Sequence, residues 1–540
     1  MGIPSYFSYI AKNHTNIIQK LCKFEKNIDN LYLDSNSIIY DCLRAISDEY
    51  GKCKNDIEFE TMLNLAVCKK IDEYIIHLQP RKKVFIAFDG VAPVAKLEQQ
   101  RNRRYKSNLL AQIKNNIEND NIENDNTVMW NKTAITPGTR FMTNLNHFIN
   151  DYYKNREKQF GIEQFLISGS DENGEGEHKL FQYIRDNSSY HHKTVTVIYG
   201  LDADLIMLCI NHLPISKQIY LYRETPEFAK SLNRNLEPNE SYLMHIPSLA
   251  DRIVLEMNGH RQPNNKQQRN RLYDYIFLCF FLGNDFLPHF PSVNIRNGGI
   301  HIMMSAYNNT IGRTNDNLTD GKKIYWKNVK KLVESLADQE YSNLMSEYKI
   351  RERGEKRFIK AKTVDEKMNK LLTIPQKHRE VEKYINPRSS YWETRYYKAL
   401  FDIDITNEWR KKICVNYLEG LEWTISYYTD KCKDWRWSYH YNYPPLFSDL
   451  VKYIPHWETI MIEKNNHTAV TPNVQLSYVL PKSSLTLLPD NIREGLLEHF
   501  PQLYDDDCRI FWAFCKYLWE GHVDFPHINL ETLEKFVLSC

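Results

Sequence analysis

Acidic residues recur at the ends of the chain's apolar runs, and this recurrence constrains the fold more than any other feature. Leu31-Tyr32-Leu33 ends in Asp34, and Val84–Phe88 ends in Asp89 and Gly90. Thr194–Tyr199 runs into Gly200-Leu201-Asp202-Ala203-Asp204. The run 163–167 leads through a loop to Gly174-Glu175-Gly176-Glu177, where a helix is predicted to open. Each run is short and rich in β-branched or aromatic residues, and each gives way to a polar turn and a helical pattern. That alternation predicts an α/β fold, a mostly parallel twisted sheet with helices on both faces. Ligands bind at the carboxyl ends of such strands, so six carboxylates are expected along one crevice. A seventh, Asp285, comes after the apolar helical stretch 272–282 within Gly283-Asn284-Asp285.

Seven carboxylates in one crevice cannot all stay ionised without countercharge. Divalent cations supply it. Oxygen donors without His or Cys point to Mg²⁺ or Mn²⁺ rather than zinc. Two such ions roughly 4 Å apart can clamp a phosphodiester for in-line attack by water. The competing reading is local, because a single Asp at a strand end commonly caps the next helix. It is the repetition that favours a metal site.

A cationic row starts just beyond the second of these acids. Pro93 suits the first turn of a helix, and Lys96, Gln100, Arg103 and Arg104 then fall at i, i+4, i+7 and i+8. Side chains at that spacing share one helix face, and such a face makes a polydentate grip for a phosphate. A solvated surface helix is the plain alternative.

The rest of the chain sets bounds. At 540 residues it exceeds one ordinary core, so two or three units are expected. The net charge of +2 requires any site for a polyanion to be a local patch. None of the eleven cysteines forms a C-x-x-C pair, which argues against a zinc knuckle or redox motif and for a reducing, intracellular setting. The apolar stretch at Tyr275–Leu282 is too short to span a bilayer. Residues 115–126 read NNIENDNIENDN, a low-complexity loop. Residues 351–387 are highly charged, contain Pro375 and Pro387, and read as a linker or surface arm. Beyond 388 the chain turns aromatic (YWETRYYKAL, NYLEGLEWTISYY, WRWSYHYNYPP) and is expected to be largely helical. Trp423, Trp435 and Trp437 in such a region are ordinarily core residues.

Together the segments LYLDSNSIIY, FIAFDGVAPVAKLEQQRNRRYKS, AITPGTRFM, SGSDENGEGEHK, YGLDADLIML and FLGNDFLPH resemble the eukaryotic Xrn/Rat 5′→3′ exoribonuclease family. NYLEGLEWTISYYTDKCKDWRWSYHYNYPPLFSDL and VLPKSSLTLLP are similar to the second region of that family's core. The resemblance implies a PIN-like or flap-nuclease-like core over 1–350 and a second helical region over 388–540. It also implies two Mg²⁺ or Mn²⁺ ions and processive hydrolysis of single-stranded RNA from a 5′-monophosphate. On that resemblance the metal ligands are Asp34, Asp89, Glu175, Glu177, Asp202, Asp204 and Asp285. The 5′-phosphate pocket is Lys96, Gln100, Arg103 and Arg104. Trp437, or alternatively Trp435, stacks on a base opposite Tyr40. Tyr40 and Asn173 stand where the family carries His and Pro, and the NIEND repeats look like an insertion. A monomer is expected, with no membrane partner, in the cytoplasm rather than the nucleus. A flap-type DNA endonuclease and an inactive RNA-binding scaffold remain as alternatives.

Overall fold

The computed structural model describes residues 3, 5–119, 129–224, 237, 240–505 and 507–540. Its main sheet comprises β1 (Ile18–Lys20), β2 (Asn30–Asp34), β3 (Lys83–Ala87), β4 (Gln164–Ser168), β5 (Thr196–Tyr199), β6 (Ile219–Glu224) and β7 (Ser241–Met244). The strands lie in the order β1-β7-β6-β5-β2-β3-β4. The five from β6 to β4 are parallel, while β7 and β1 add an antiparallel flank. The four strands expected from sequence are β2 to β5.

Alternation along these strands explains the two covered faces. Tyr32, Phe85 and Ile198 enter one apolar cluster, whereas Leu31, Leu33, Val84, Ile86 and Val197 enter another. Successive side chains of a strand point to opposite faces, so the sheet is buried on both sides, as a parallel sheet requires. The register is flush. Asp34 lies opposite Ala87, Ala87 opposite Ser168, and Leu33 opposite Tyr199. The loops that leave these strands therefore emerge along one edge of the sheet.

Several expectations about the organisation change. Residues 115–119 are the last turn of helix α1 (Val94–Asn119), and 120–126 lie outside the described residues. The segment 351–387 is folded and packed, not a linker or arm. It holds the end of a long helix (Trp326–Glu355) and two short ones, Val364–Leu372 and Glu380–Ile385. Glu382 is 1% exposed and lies between two guanidiniums. Arg351 Nη2 donates to it at 2.6 Å and Arg379 Nε at 2.6 Å, and the Phe514 amide donates at 2.9 Å. The two flanking regions also share a core. Phe290 lies face to face with Phe447 at 3.7 Å between ring centres, and Phe286 packs on Trp423 at 4.9 Å. The second region is helical apart from a small hairpin of Ile510–Phe511 and His522–Val523. Among the described residues no helix is long and apolar enough to cross a membrane.

The buried Arg351–Glu382–Arg379 group gives a direct test of this integration. Removing one partner of a buried ion pair leaves uncompensated charge and costs about 3–5 kcal/mol. Glu382→Ala should lower the thermal unfolding midpoint accordingly, whereas a solvated linker would leave it unchanged.

Candidate active site

The flush strand ends bring six of the acids to one edge, and the turn after helix Asn265–Phe280 adds Asp285. Asp34 is the last residue of β2, and helix Asn36–Ile46 starts two residues later. The first residue of that helix fixes the next acid. Asn36 Nδ2 donates to Asp89 Oδ2 at 2.7 Å, and its Oδ1 accepts the Asp89 amide at 3.0 Å. Asp89 Oδ1 in turn accepts the Gly176 amide at 2.7 Å, at the start of helix α2 (Gly176–Asp186). Glu175 and Glu177 flank that start, and Asp204 opens helix α3 (Asp204–His212). A helix N-terminus favours negative charge, so both helices help to hold acids there.

Two glycines let the loops close over this edge. Gly90 donates its amide to Gly174 O at 2.8 Å, and Gly174 donates to Val91 O at 2.8 Å. A Cβ on Gly90 would lie 1.7 Å from Glu172 O, so no other residue fits. Gly174 has φ +102°, a backbone region that L residues with a side chain avoid.

The electrostatics show how close the acids are. Burial raises the Asp34 carboxyl well above its usual range, and Asp89, Asp202 and Glu175 raise it further. Burial likewise raises Glu177, with Glu175, Asp204 and Asp34 adding to it. Asp204 is pushed up to about 7 by burial and by Asp285. Burial raises Asp285, but the charge and hydrogen bond of Lys96, joined by other cations including Arg103, together hold it below its usual range. Lys96 Nζ sits 2.5 Å from Glu175 Oε1 and 2.5 Å from Asp285 Oδ2. Burial would strip its proton, but these carboxylates hold the proton in place. The Lys96 ammonium meets two of the seven acids directly, and the raised Asp34, Glu177 and Asp204 carboxyls mark the repulsion left over.

The arrangement fits a bound metal cation. Asp204 Oδ1 is buried and has no hydrogen-bond partner among the described residues. Glu175, Glu177 and His178 each place a ligand atom within 4.8 Å of the others. His178 is a neighbour of the site that the sequence pattern does not single out. Its imidazole is held neutral, first by burial and then by Arg185 and Lys96.

The cationic row divides. Lys96 turns into the acids, while Arg104 donates to Gln100 Oε1 at 3.2 Å and to Thr136 Oγ1 at 2.9 Å. Burial and the adjacent Arg103 lower Arg104 to about 10, which leaves it cationic at neutral pH. Arg103 is exposed. Tyr40 is 38% exposed, so its ring is accessible. Trp437 is 9% exposed and lies stacked on Trp423 at 5.3 Å. Trp435 is half-buried, and its indole edge lies 4.0 Å from where a Gly174 Cβ would be. The Trp435 carbonyl accepts the Val94 amide at 3.0 Å, at the start of α1.

The second region reaches the acids through helix α4 (Asn407–Thr429). Tyr427 donates its hydroxyl to Glu175 Oε2 at 3.0 Å. Its ring stacks on His178 at 3.7 Å and on Trp423 at 4.8 Å. Four rings, from Trp437 through Trp423 and Tyr427 to His178, thus run from the W-x-W segment into the acid cluster. Lys179 also braces the site, with Nζ donating to Phe88 O at 2.8 Å and Gly169 O at 2.7 Å. Lys179 lies within the GEGEHK segment and could have been singled out; nothing near Tyr427 in sequence marks its role.

Two family models match the chain. The XRN 5′-3′ exonuclease N-terminus covers residues 1–225, and the Xrn1 helical domain covers 266–388 and 375–538. The chain is 28% identical to 5′-3′ exoribonuclease 1 of Saccharomyces cerevisiae, over 94% of its own length and 40% of the relative's. It is 25% identical to 5′-3′ exoribonuclease 2 of Arabidopsis thaliana, over 99% of its length and 66% of the relative's. Human 5′-3′ exoribonuclease 1 is also 25% identical and matches all of the chain, which spans 34% of that protein.

The Tyr427 hydroxyl is expected to orient Glu175. Tyr427→Phe keeps the ring stack and removes only the hydrogen bond. Loss of a group that orients a metal ligand typically weakens binding about 10–100-fold, and calorimetric titration with Mn²⁺ should show a loss in that range. Unchanged affinity would reduce Tyr427 to a packing residue.

Proposed function

The chain belongs to the XRN 5′-3′ exonuclease family, and on that premise we propose that it is a metal-dependent 5′→3′ exoribonuclease. In this reading it takes single-stranded RNA with a 5′-monophosphate and releases nucleoside 5′-monophosphates one at a time. The observation that carries the reading is the meeting of seven acids at one sheet edge with a cationic row on the adjacent helix. Asp34, Asp89, Glu175, Glu177, Asp202, Asp204 and Asp285 would hold two Mg²⁺ or Mn²⁺ ions. Bound there, the ions would activate water and neutralise charge on the phosphodiester.

The chain's own residues do the positioning. Arg104 and Gln100, braced by Thr136, receive the terminal phosphate, with Arg103 beside them and Lys96 between that phosphate and the acids. A dianion pairs with guanidiniums and an ammonium far better than a neutral hydroxyl does. That difference supports selection of a 5′-monophosphate. Tyr40 and the W-x-W segment hold the first bases by stacking, which tolerates any sequence. Trp435 offers the more accessible ring beside Gly174, and Trp437 backs the stack from within. Water then attacks the phosphorus of the second nucleotide. O3′ of the first nucleotide leaves with one of the water's protons, and the other proton passes to solvent. The first nucleotide departs as a nucleoside 5′-monophosphate, and the strand keeps a new 5′-monophosphate for the next cycle.

Digestion of RNAs that differ only at the 5′ end tests this reading. The 5′-monophosphate form should be consumed and the 5′-hydroxyl form spared, and EDTA should stop the reaction. Equal rates on both ends would contradict it. Asp204→Ala and Asp202→Ala should each abolish turnover. Arg104→Ala should cost about 1.5–3 kcal/mol of charged hydrogen bonding, felt for phosphorylated ends.

The two tryptophans separate in a trap experiment, with excess unlabelled RNA added after binding. Trp435→Ala should release more partly digested intermediates than the wild type. Trp437→Ala should instead lower the unfolding midpoint, because emptying a packed aromatic site costs about 3–5 kcal/mol. If only Trp437→Ala released intermediates, Trp437 would be the stacking ring.

A further inference from the structure

A cavity of about 1350 Å³ opens off the acid cluster on the side of α1 away from Thr136. Its lining includes Asn284, Asp285 and Arg103 beside the acids and Gln99, Asn102 and Lys106 along α1. It also includes the exposed Asp524 and Glu531. Gln100 and Arg104 face the other way, toward Thr136. The helix that carries the phosphate row thus has the expected strand end on one side and this cavity on the other.

The cavity wall is mixed, and several of its polar groups are unsatisfied. Gln99 Oε1 and Nε2, Asn284 Nδ2, His289 Nε2 and Tyr443 OH are buried without a partner among the described residues, and all four side chains line it. Tyr443 is only 6% exposed. Buried donors and acceptors of this kind cost free energy unless a ligand or water meets them. Lys106 adds a fixed cation, its Nζ held by Trp519 O at 2.7 Å and Gly521 O at 2.5 Å. The rings of Phe286 and Tyr439 complete a wall that suits a ribose and any base, and Arg296 there is paired with Glu520 at 2.6 Å. Cavities of roughly 300–1,000 Å³ enclose drug-sized ligands, so a mononucleotide and its water fit with room to spare.

We propose that this cavity is the exit for the nucleoside 5′-monophosphate released by each cut. The inference rests on the exoribonuclease reading above. A strand that stays bound between cuts occupies its own entrance, so the cleaved nucleotide must leave another way. The charges on the wall suit a departing nucleotide: Lys106 can meet its phosphate, and the exposed Asp524 and Glu531 repel that phosphate into solvent. The same carboxylates disfavour a polyanionic strand threading inward.

Ser107 lines the cavity on α1 and belongs to neither the acids nor the phosphate row. Ser107→Trp should narrow the passage, with Ser107→Ala as the control for folding and activity. In rapid-quench digestion of 3′-labelled RNA, which reports every cut as a shortened strand, Ser107→Trp should make the first cut at the wild-type rate and slow the later cuts several-fold. In calorimetry with adenosine 5′-monophosphate, the wild type should bind and Ser107→Trp should bind about tenfold more weakly. Wild-type stepping by a folded Ser107→Trp protein, equal slowing of first and later cuts, or unchanged nucleotide affinity would each overturn the exit. Absence of any first cut by the wild type would refute the exoribonuclease reading instead, and the calorimetric arm would still test the cavity.

Discussion

Mutual repulsion among seven carboxylates at one sheet edge is the constraint on which the rest of this structure depends. Left alone, the cluster opposes its own assembly, and its burial raises the cost of every negative charge. The molecule answers with fixed geometry. Flush parallel strands deliver Asp34 and Asp89 to one line, Asn36 and the Gly176 amide clamp Asp89, and two helix starts receive Glu177 and Asp204. Lys96 supplies an ammonium shared between Glu175 and Asp285. The unbalanced negative charge that remains lies in a buried, preorganised site, which suits a hard divalent cation.

The second region is part of this solution. Tyr427 reaches Glu175 from a helix whose neighbouring rings sit in the same core as Phe286 and Phe290. The stack from Trp437 to His178 therefore ties the aromatic segment mechanically to the acidic edge built by the first region. Stacking of RNA bases near that segment would act on the same rigid assembly that holds the acids. In such an assembly small displacements are costly, because packed interiors resist deformation. In the proposed reading, chemistry at the acids and retention of the strand would be served by one rigid body.

Much of this was legible in the sequence, for a physical reason. The end of a strand is a local property, so each acid could be read from its own run, and a parallel register then places them together. Periodicity put Lys96, Gln100, Arg103 and Arg104 on one helix face, but it could not show that Lys96 turns into the acids while Arg103 lines the cavity and Arg104 faces Thr136. Tyr427 lies 252 residues from Glu175, and no local pattern marks such a contact. The segment 351–387 misleads because its charges look solvated, whereas Glu382 is buried between Arg351 and Arg379. Residues 115–119 continue a helix because Asn and Glu, unlike Pro or Gly, do not end one. The flank of β6, β7 and β1 closes through antiparallel pairs that join distant segments, Ile18 with Met244 among them.

The central claim is that the acid cluster is held under electrostatic strain that a cation relieves. Thermal unfolding of the metal-free protein and of Asp204→Asn, each with and without Mn²⁺, tests it most directly. The account predicts that Asp204→Asn melts higher than the wild type in EDTA, because one repelling charge is gone. It further predicts that Mn²⁺ raises the wild-type midpoint and raises that of the variant much less. A variant that melts lower in EDTA, together with a wild type indifferent to Mn²⁺, would contradict it.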